Sequence, residues 1–299
     1  MGILETRNGR GGVAPRVWNT HIGRQIASSF NLWLSYLLLI AVSIVMISPL
    51  VWMALSSFKS RGEIESITLS LFPRQWLVSN YIEMSSKLDL LLLLRNSLIM
   101  TSLLVFAQLF TSSWAGFVFS KFTFKGSAIV FMAVLSTMMI PGTVTLIPLF
   151  ILVTKLGLKN TLGGLVFPGL VSPFGIFMMR QFIDTLPGAL IDAAKIDGCS
   201  DFRIYHSIML PLLKPALAAL GIFVFIASWD SFLWPIVILN DKAWRPLSVG
   251  LAFFVEENFS HTNLAMAGAT IAVVPVIIFY VAFQRHFVEG LSMSGLAGF

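Results

Sequence analysis

Long runs without a single charged residue constrain this chain more than any other feature. Lys, Arg, Asp and Glu are absent from five stretches, and a sixth is interrupted by one aspartate alone. The six stretches are 25–58, 96–120, 126–154, 160–179, 215–240 and 258–284. A helix that crosses a bilayer needs about 20 mostly apolar residues, and each stretch supplies them. The runs lack strict alternation and are too long for barrel strands, so helices are the structure that satisfies their backbone in lipid.

The composition supports the same conclusion. Of 299 residues, 57% are hydrophobic and 11% are charged, whereas soluble domains carry roughly 25% charged residues. We therefore predict an all-α integral membrane protein with six transmembrane helices. Their expected positions are 31–57, 95–118, 126–154, 160–182, 212–240 and 262–285. The net charge of +6 is ordinary for a membrane protein with basic inner loops and indicates no nucleic-acid partner.

The two ends of the chain indicate its orientation. Residues 1–30 are polar and glycine-rich and carry four arginines. Because basic residues favour the inner side of a membrane, this segment is predicted to be a cytoplasmic N-terminal tail. With six spans both termini lie in the cytoplasm. Residues 31–285 then form the transmembrane domain, and 286–299 form a cytoplasmic C-terminal tail.

One polar segment, 186–214, lies between the fourth and fifth predicted helices, with the sequence "LPGALIDAAKIDGCSDFRIYHSIMLPLLK". Pro187 suits the first turn of a helix, and Gly198 suits the left-handed position that ends one. Ser200 suits the N-cap of the next helix, and Pro211 marks its end. We predict a helix-turn-helix at the cytoplasmic surface. A helix lying on the membrane would be richer in Lys and Arg, so a docking site for a soluble partner fits better.

The stretch "DAAKIDGCSDFRIYHSIMLP" resembles the cytoplasmic loop motif of ABC importer permeases. The matching residues are Ala193, Ala194, Asp197, Gly198, Ile208, Leu210 and Pro211. Three positions depart from the usual pattern: Asp192 replaces a glutamate, Cys199 an alanine and Tyr205 a phenylalanine. The resemblance implies that this loop couples the membrane helices to an ATPase subunit. The residues implied in coupling are the seven matching ones together with Asp192 and Tyr205.

The similarity extends over nearly the whole chain. The stretches "MMIPGTVTLIPLFILVTKLGLKNTLGGLV", "FIASWDSFLWPIVIL" and "MAGATIAVVPVIIFYVAFQRHFVEGL" resemble the second permease subunit of maltose-type carbohydrate importers. This resemblance implies import of an oligosaccharide across a bacterial or archaeal cytoplasmic membrane, with 31–285 as the permease domain. The implied partners are a homologous permease, two ATPase subunits that bind ATP and Mg²⁺, and an extracytoplasmic solute-binding protein. The chain departs from the family by ending "GLAGF".

Two alternatives stay open on the sequence. The solute could be something other than a sugar, such as a glycerol-phosphate diester, or the chain could be a secondary transporter that needs no ATPase. Six spans are few for a symmetric carrier, and the spans lack carboxylates that would relay protons, so the second alternative is disfavoured.

An integral-membrane enzyme, such as a lipid transferase, is disfavoured. It would need polar catalytic groups clustered at one membrane face, and the polar 192–211 segment lacks the His or Cys geometry that such chemistry generally uses. The chain has no G-x-x-x-x-G-K-[ST] phosphate loop, so it cannot hydrolyse ATP by that machinery. Its single cysteine, Cys199, excludes an internal disulfide and a multi-cysteine metal site. The four histidines are scattered, without a second ligand at metal spacing. We therefore predict that this chain has no catalytic residue and binds no metal or cofactor itself.

Candidates for a substrate path are fewer. Asp230 is the one charge within a predicted span, and charges inside a membrane are functional candidates by default. It lies between Trp229 and Trp234 in "SWDSFLW", and sugars commonly stack on aromatic rings. The alternative is that Asp230 pairs with a serine or a backbone amide at a helix contact. The remaining candidates, where packing is the alternative, are Ser136, Met138 and Met139.

Prolines recur inside the predicted spans and are expected to bend them, because each removes a backbone hydrogen bond. These prolines are Pro49, Pro141, Pro148, Pro168, Pro173, Pro235 and Pro275. Such bends occur where helices line a substrate path and also where helices merely pack.

Overall fold

The computed structural model describes residues 19–68, 70–257 and 261–295, and within them the secondary structure is helical, without a β-strand. This confirms the prediction of an all-α protein. The chain divides into two units, Met1–Trp52 and Met53–Phe299. In chain order the α-helices are α1 (Asn19–Ser56), α2 (Arg61–Ile64), α3 (Ser79–Lys87), α4 (Leu90–Lys121), α5 (Ser127–Ser136), α6 (Gly142–Lys155), α7 (Leu162–Val166), α8 (Pro173–Asp184), α9 (Ala189–Ile196), α10 (Asp201–Ile204), α11 (Leu210–Leu212), α12 (Lys214–Trp229), α13 (Leu233–Ile238), α14 (Leu247–Glu257) and α15 (Thr262–Gly295).

Helices extend into both predicted tails. α1 begins at Asn19, so residues 19–30 of the predicted N-terminal tail are helical, while residues 1–18 lie outside the described residues. At the other end α15 runs on to Gly295, through most of the predicted C-terminal tail. The α1 side chains from Leu32 to Val51 are exposed and, apart from Ser35, Ser43 and Ser48, apolar. A helix that is apolar on all sides suits contact with lipid.

Three helices of the described part are long and apolar enough to cross a bilayer, namely Leu32–Ser56 of α1, α4, and Thr262–Gln284 of α15. Three pairs of helices meet the same criterion only when taken together. The pairs are Ser127–Met139 with Gly142–Lys155, Leu162–Gly169 with Pro173–Asp184, and Asp201–Leu212 with Lys214–Trp229, bent by 103°, 43° and 76°. The described chain therefore offers three spans, or up to six if each bent pair crosses once.

The third, fourth and fifth predicted helices are interrupted rather than continuous. Ile140, before Pro141, is extended at φ −89° and ψ 116°, because a residue that precedes proline avoids the helical region. Ser172, before Pro173, is extended for the same reason, at φ −115° and ψ 113°. The helix predicted at 212–240 begins at Lys214, stops at Trp229 and resumes as α13. Each of these three predicted helices is thus interrupted, and two of the interruptions lie at Pro141 and Pro173, where bends were expected.

α4 is the central helix of the second unit and packs against α8, α12 and α14. Glycine permits its close approach to α8. A Cβ atom added at Gly116 would lie 2.8 Å from Met179 Cβ and 2.9 Å from the backbone N of Arg180. A Cβ added at Gly175 would overlap the side chain of Ser112. Small residues at such contacts let helices associate in lipid, where no hydrophobic driving force acts between them.

The segment between α1 and α4 is folded around one asparagine. The Nδ2 atom of Asn80 donates to the carbonyl oxygens of Ser57 at 2.8 Å and Lys59 at 2.9 Å. Its Oδ1 accepts a 2.8 Å hydrogen bond from Asn263 Nδ2. Lys59 is only 1% exposed, and its Nζ donates to the carbonyl of Ser70. Asn80 therefore fixes α3 to the chain after α1 and to the start of α15.

Candidate functional site

The first helix of the 186–214 segment ends as predicted. Gly198 follows α9 in the left-handed conformation, at φ +76°. The backbone N of Gly198 donates to the Lys195 carbonyl at 3.0 Å, and that of Cys199 donates to the Ala194 carbonyl at 2.9 Å. These two hydrogen bonds form a Schellman cap, which glycine favours because it has no Cβ penalty in this conformation. We call the helix pair α9 and α10–α11 the hairpin.

The second helix of the hairpin also begins as predicted. Ser200 Oγ accepts a hydrogen bond from the backbone N of Arg203 at 3.4 Å, the N-cap arrangement. Asp201 lies in the first turn, where a negative charge is favoured by the helix dipole. Lys195 Nζ lies 3.9 Å from Asp201 Oδ1 and 5.6 Å from the centroid of the Phe122 ring. Both ends of the tight turn are therefore held by local hydrogen bonds.

The second helix differs from the prediction in its later half. Residues Tyr205–Met209 form a π-helical turn, in which the backbone N of Leu210 donates to the Tyr205 carbonyl. The helix then continues through Pro211 and ends at Leu212, so Pro211 is not the residue at which it stops. A 76° bend separates Asp201–Leu212 from α12. π turns inside α-helices are frequent at functional sites.

Tyr205 attaches the hairpin to α4. Its side chain is 4% exposed, and its hydroxyl lies 2.7 Å from Ser113 Oγ. Its ring packs edge-on against Trp114, with the centroids 4.5 Å apart, and lies 5.5 Å from Phe117. The resemblance placed Tyr205 among the coupling residues, but its side chain faces the helix bundle. Any contribution to coupling has to come through the position of the hairpin.

The other coupling candidates divide between two sides of the hairpin. Ala194 is buried, at 5% exposure, and Ile208 and Leu210 are partly buried. The exposed candidates are Asp192, Ala193, Asp197, Gly198 and Pro211. The structure therefore separates residues that seat the hairpin from residues that a partner could contact.

Ile196 is a surface residue to which the sequence motif gave no role. It lies in the last turn of α9 and is 86% exposed. Ala193 and Ile196 are three residues apart and Asp192 and Ile196 four apart, so all three share one face of the helix. We call the exposed residues Asp192, Ala193, Ile196 and Asp197 the tip face. An exposed isoleucine between carboxylates gives this face an apolar centre with an acidic edge.

The residues predicted for a substrate path make separate contacts. Trp229 is 4% exposed, and its Nε1 donates to the Ala272 carbonyl of α15 at 3.1 Å. Trp234 Nε1 donates to the Gly164 carbonyl of α7, also at 3.1 Å. Asp230 is exposed at the end of α12, and within the described chain its carboxylate has no ion-pair or hydrogen-bond partner. The two indoles thus hold helices together on either side of this aspartate.

The remaining path candidates lie at the 103° bend between α5 and α6. Ser136 Oγ donates to the Ala133 carbonyl at 2.8 Å, within its own helix. Met138 and Met139 are 47% and 84% exposed. Their role in a path stays a prediction. Among the described residues, no group of three or more His, Cys, Asp or Glu side chains could hold a metal ion.

Comparison with known proteins identifies the family. The chain is 35% identical over 271 residues to the arabinooligosaccharides transport system permease protein AraQ of Halalkalibacterium halodurans, which covers 89% of this chain and 97% of AraQ. It is 32% identical over 267 residues to the sn-glycerol-3-phosphate transport system permease protein UgpE of Brucella abortus, covering 86% and 95% of the two chains.

A solved bacterial ABC transporter involved in the import of the acidic polysaccharide alginate has the same fold. One of its chains matches with a TM-score of 0.77 and 22% identity, over 87% of this chain and 98% of that chain. Residues 108–293 match the family model for binding-protein-dependent transport system inner membrane components. The chain therefore belongs to the family of binding-protein-dependent transport system inner membrane components.

Proposed function

We propose that this chain is the permease subunit of an ATP-driven importer of oligosaccharides that depends on a solute-binding protein. The observation that carries this proposal is the 35% identity to AraQ, because it extends over 97% of that arabinooligosaccharide permease. The shared fold with a chain of the alginate importer supports it. The oligosaccharide itself is then expected to be polyhydroxylated and either neutral or acidic.

A glycerol-phosphate compound is the second candidate solute. The identity to UgpE, a sn-glycerol-3-phosphate permease, is 32% over 95% of that chain, slightly below the identity to AraQ. Both classes of solute carry several hydroxyl groups. They differ in charge, which makes direct competition between them a simple discriminating measurement.

The proposed topology has six spans, with both termini and the hairpin in the cytoplasm of a bacterium or archaeon. The bent pairs α5–α6 and α7–α8 supply two spans. α12 and α13, which are interrupted at 230–232, supply the fifth. The hairpin lies outside the bilayer in this topology, because Asp192, Asp197 and Arg203 are exposed and charged side chains are costly in lipid.

The hairpin is the proposed coupling element. Its tip face docks on an ATPase subunit, and a homologous permease and a second ATPase subunit complete the transporter. When the two ATPase subunits close on ATP and Mg²⁺, the hairpin is displaced. Because both helix ends are capped and Tyr205 fixes the second helix to α4, the hairpin moves as one body. The spans then change between inward-open and outward-open arrangements.

Uptake by the reconstituted transporter tests the function. The chain is coexpressed with its partner subunits and placed in proteoliposomes that enclose ATP, with the solute-binding protein and labelled arabinotriose outside. Uptake that requires both ATP and the binding protein is expected, and excess sn-glycerol-3-phosphate leaves it unchanged. Uptake without ATP would instead indicate a secondary transporter. Inhibition of arabinotriose uptake by excess sn-glycerol-3-phosphate would indicate the second solute class.

Cross-linking tests the docking of the tip face. Replacing Cys199 by serine leaves the chain without cysteine, so one new cysteine can be placed at will. Ile196→Cys should form a cross-link to an ATPase subunit with a short bifunctional reagent. Ile67→Cys is the matched control, because Ile67 is fully exposed but lies on the opposite side of the membrane in the proposed topology. Equal cross-linking of both variants, or of neither, contradicts the proposal.

A further inference from the structure

A cavity lies among residues that the proposed coupling mechanism does not use. Its volume is about 410 Å³, and it is formed by the end of α3, the start of α4, the loop before α14, and α14 itself. Sites for small molecules have volumes of roughly 300–1,000 Å³. The cavity is therefore large enough to hold a small solute.

Two of the three basic residues that line this cavity, Arg245 and Lys242, are available to a ligand. The Arg245 guanidinium lies over the Phe253 ring, with 4.4 Å between its Cζ and the ring centroid. Its Nε is buried and has no hydrogen-bond partner. Lys242 lines the cavity and is exposed. Within the residues that the structure describes, neither Arg245 nor Lys242 has a carboxylate at ion-pair distance.

Lys87 also lines the cavity but is already engaged. Its Nζ donates to Glu83 Oε1 at 2.7 Å, and this hydrogen bond holds the pKa of Glu83 below its usual value. The cations left to meet a ligand are therefore Lys242 and Arg245.

Acidic groups face the same space. Glu257, in the last turn of α14, is exposed, and no ion pair engages it in the described part of the chain. Asp89 uses Oδ1 to cap α4, accepting from the backbone N of Leu92 at 3.1 Å, which leaves its second oxygen available. A simple anion is opposed by these two carboxylates, and a simple cation is opposed by Lys242 and Arg245. The charges of the wall thus suit a ligand that both donates and accepts hydrogen bonds.

Apolar side chains complete the wall. Leu88, Leu92, Leu93 and Phe254 line the cavity beside the charged groups. A sugar offers hydroxyl groups that donate and accept together with apolar C–H faces, so it matches both parts of the wall. A free phosphate or a fatty acyl chain matches only one of them.

We propose that this cavity binds one unit of a neutral oligosaccharide, with Arg245 and Lys242 donating to its hydroxyl oxygens and Asp89 and Glu257 accepting from its hydroxyl groups. The inference rests on the proposed function, because the proposed topology places α3 and α14 on the extracytoplasmic side. It goes beyond that function by naming an entry site on this chain that acts before the solute reaches the spans.

Direct binding tests the cavity separately from transport. The complex of this chain with its partner permease and ATPase subunits is purified without the solute-binding protein and titrated with arabinotriose, using saturation-transfer NMR. Lys242→Gln and Glu257→Gln each remove a charge from an exposed side chain, so both variants are expected to fold normally. Each should weaken binding roughly 10- to 150-fold, because each removes a hydrogen bond to a charged group. Lys155→Gln, an exposed lysine at the end of α6, is the matched control and should bind as the unchanged complex does.

The outcomes separate this site from the proposed function. ATP-dependent uptake is measured in the same preparations. Normal uptake with no binding of arabinotriose, or with equal binding by all variants, overturns the cavity site and leaves the function intact. Absence of uptake of any oligosaccharide overturns the function itself. An alginate trisaccharide that binds tenfold more tightly than arabinotriose overturns the mixed-charge argument. Weaker attachment of the solute-binding protein, with unchanged arabinotriose binding, overturns the site in favour of a protein contact.

Discussion

Substitutions at Gly198 separate backbone strain from steric bulk. A Cβ added at this residue would meet no atom within 4 Å, so space is not limiting. The φ of +76° costs an ordinary residue about 1–2 kcal/mol, which changes the population of the native turn by roughly 5- to 30-fold. Gly198→Ala should therefore weaken the turn. Gly198→Val should weaken it more, because a β-branched residue is a rarer occupant of this conformation. Gly198→Asn should weaken it least, because asparagine tolerates the left-handed region.

The coupling ratio is the appropriate measurement for this series. ATP molecules hydrolysed per oligosaccharide transported are counted in proteoliposomes, after expression and assembly of each variant have been checked. We expect the ratio to rise in the order Gly, Asn, Ala, Val. Gly142→Ala is the control, because a Cβ at Gly142 also meets nothing and its φ is not positive. Full coupling in Gly198→Val at normal expression would refute the requirement for a rigid turn. Equal damage by Asn and Val would show that backbone strain is not the cause.

Substitutions at three further positions test contacts of α4 by thermal unfolding in detergent. Tyr205→Phe should lower the free energy of unfolding by about 1 kcal/mol, because Ser113 loses one hydrogen bond. Tyr205→Ala should lower it by about 3–5 kcal/mol and raise the coupling ratio. Equal effects of the two variants would contradict the packing role of the ring. Gly116→Ala should lower the free energy of unfolding by about 1–3 kcal/mol, because its methyl group would lie 2.8 Å from a Cβ of α8. The control Gly142→Ala should leave the unfolding midpoint unchanged. Asn96→Leu should lower the free energy of unfolding by about 1–3 kcal/mol for each of the two loop carbonyls that it leaves unpaired. Limited proteolysis should then cut the 240–246 loop faster. An unchanged unfolding midpoint and cleavage rate would contradict this prediction.

Local features of the hairpin could be predicted because neighbouring residues determine them. The left-handed turn at Gly198 and the cap by Ser200 need only residues within a few positions, and both are observed. The charge-free runs likewise predicted where apolar helices lie, since exclusion of charge from lipid acts on each segment separately. Motif similarity added the family, which no single helix pattern could supply.

Features that depend on distant contacts could not be predicted in the same way. Tyr205 belongs to the motif, yet only the three-dimensional structure places its hydroxyl against Ser113, 92 positions earlier in the chain. The interruption at 230–232 has no proline at the break itself, in contrast to Ile140–Pro141. The indoles of Trp229 and Trp234 could have faced a cavity on sequence grounds. In the structure both indoles donate hydrogen bonds to other helices, Trp229 to α15 and Trp234 to α7.

The continuous helix α4 connects two distant attachment points. Asn96, near one end of α4, holds the loop that carries Arg245, and Ser113 holds the hairpin 17 positions later. At 1.5 Å per residue these attachment points are about 26 Å apart on a single continuous rod. A tilt of about 5° at one end displaces the other by roughly 2 Å, enough to break a hydrogen bond. In the proposed topology, a displacement of the hairpin on the cytoplasmic side would therefore reach the hydrogen bonds of the 240–246 loop on the opposite side through α4 alone.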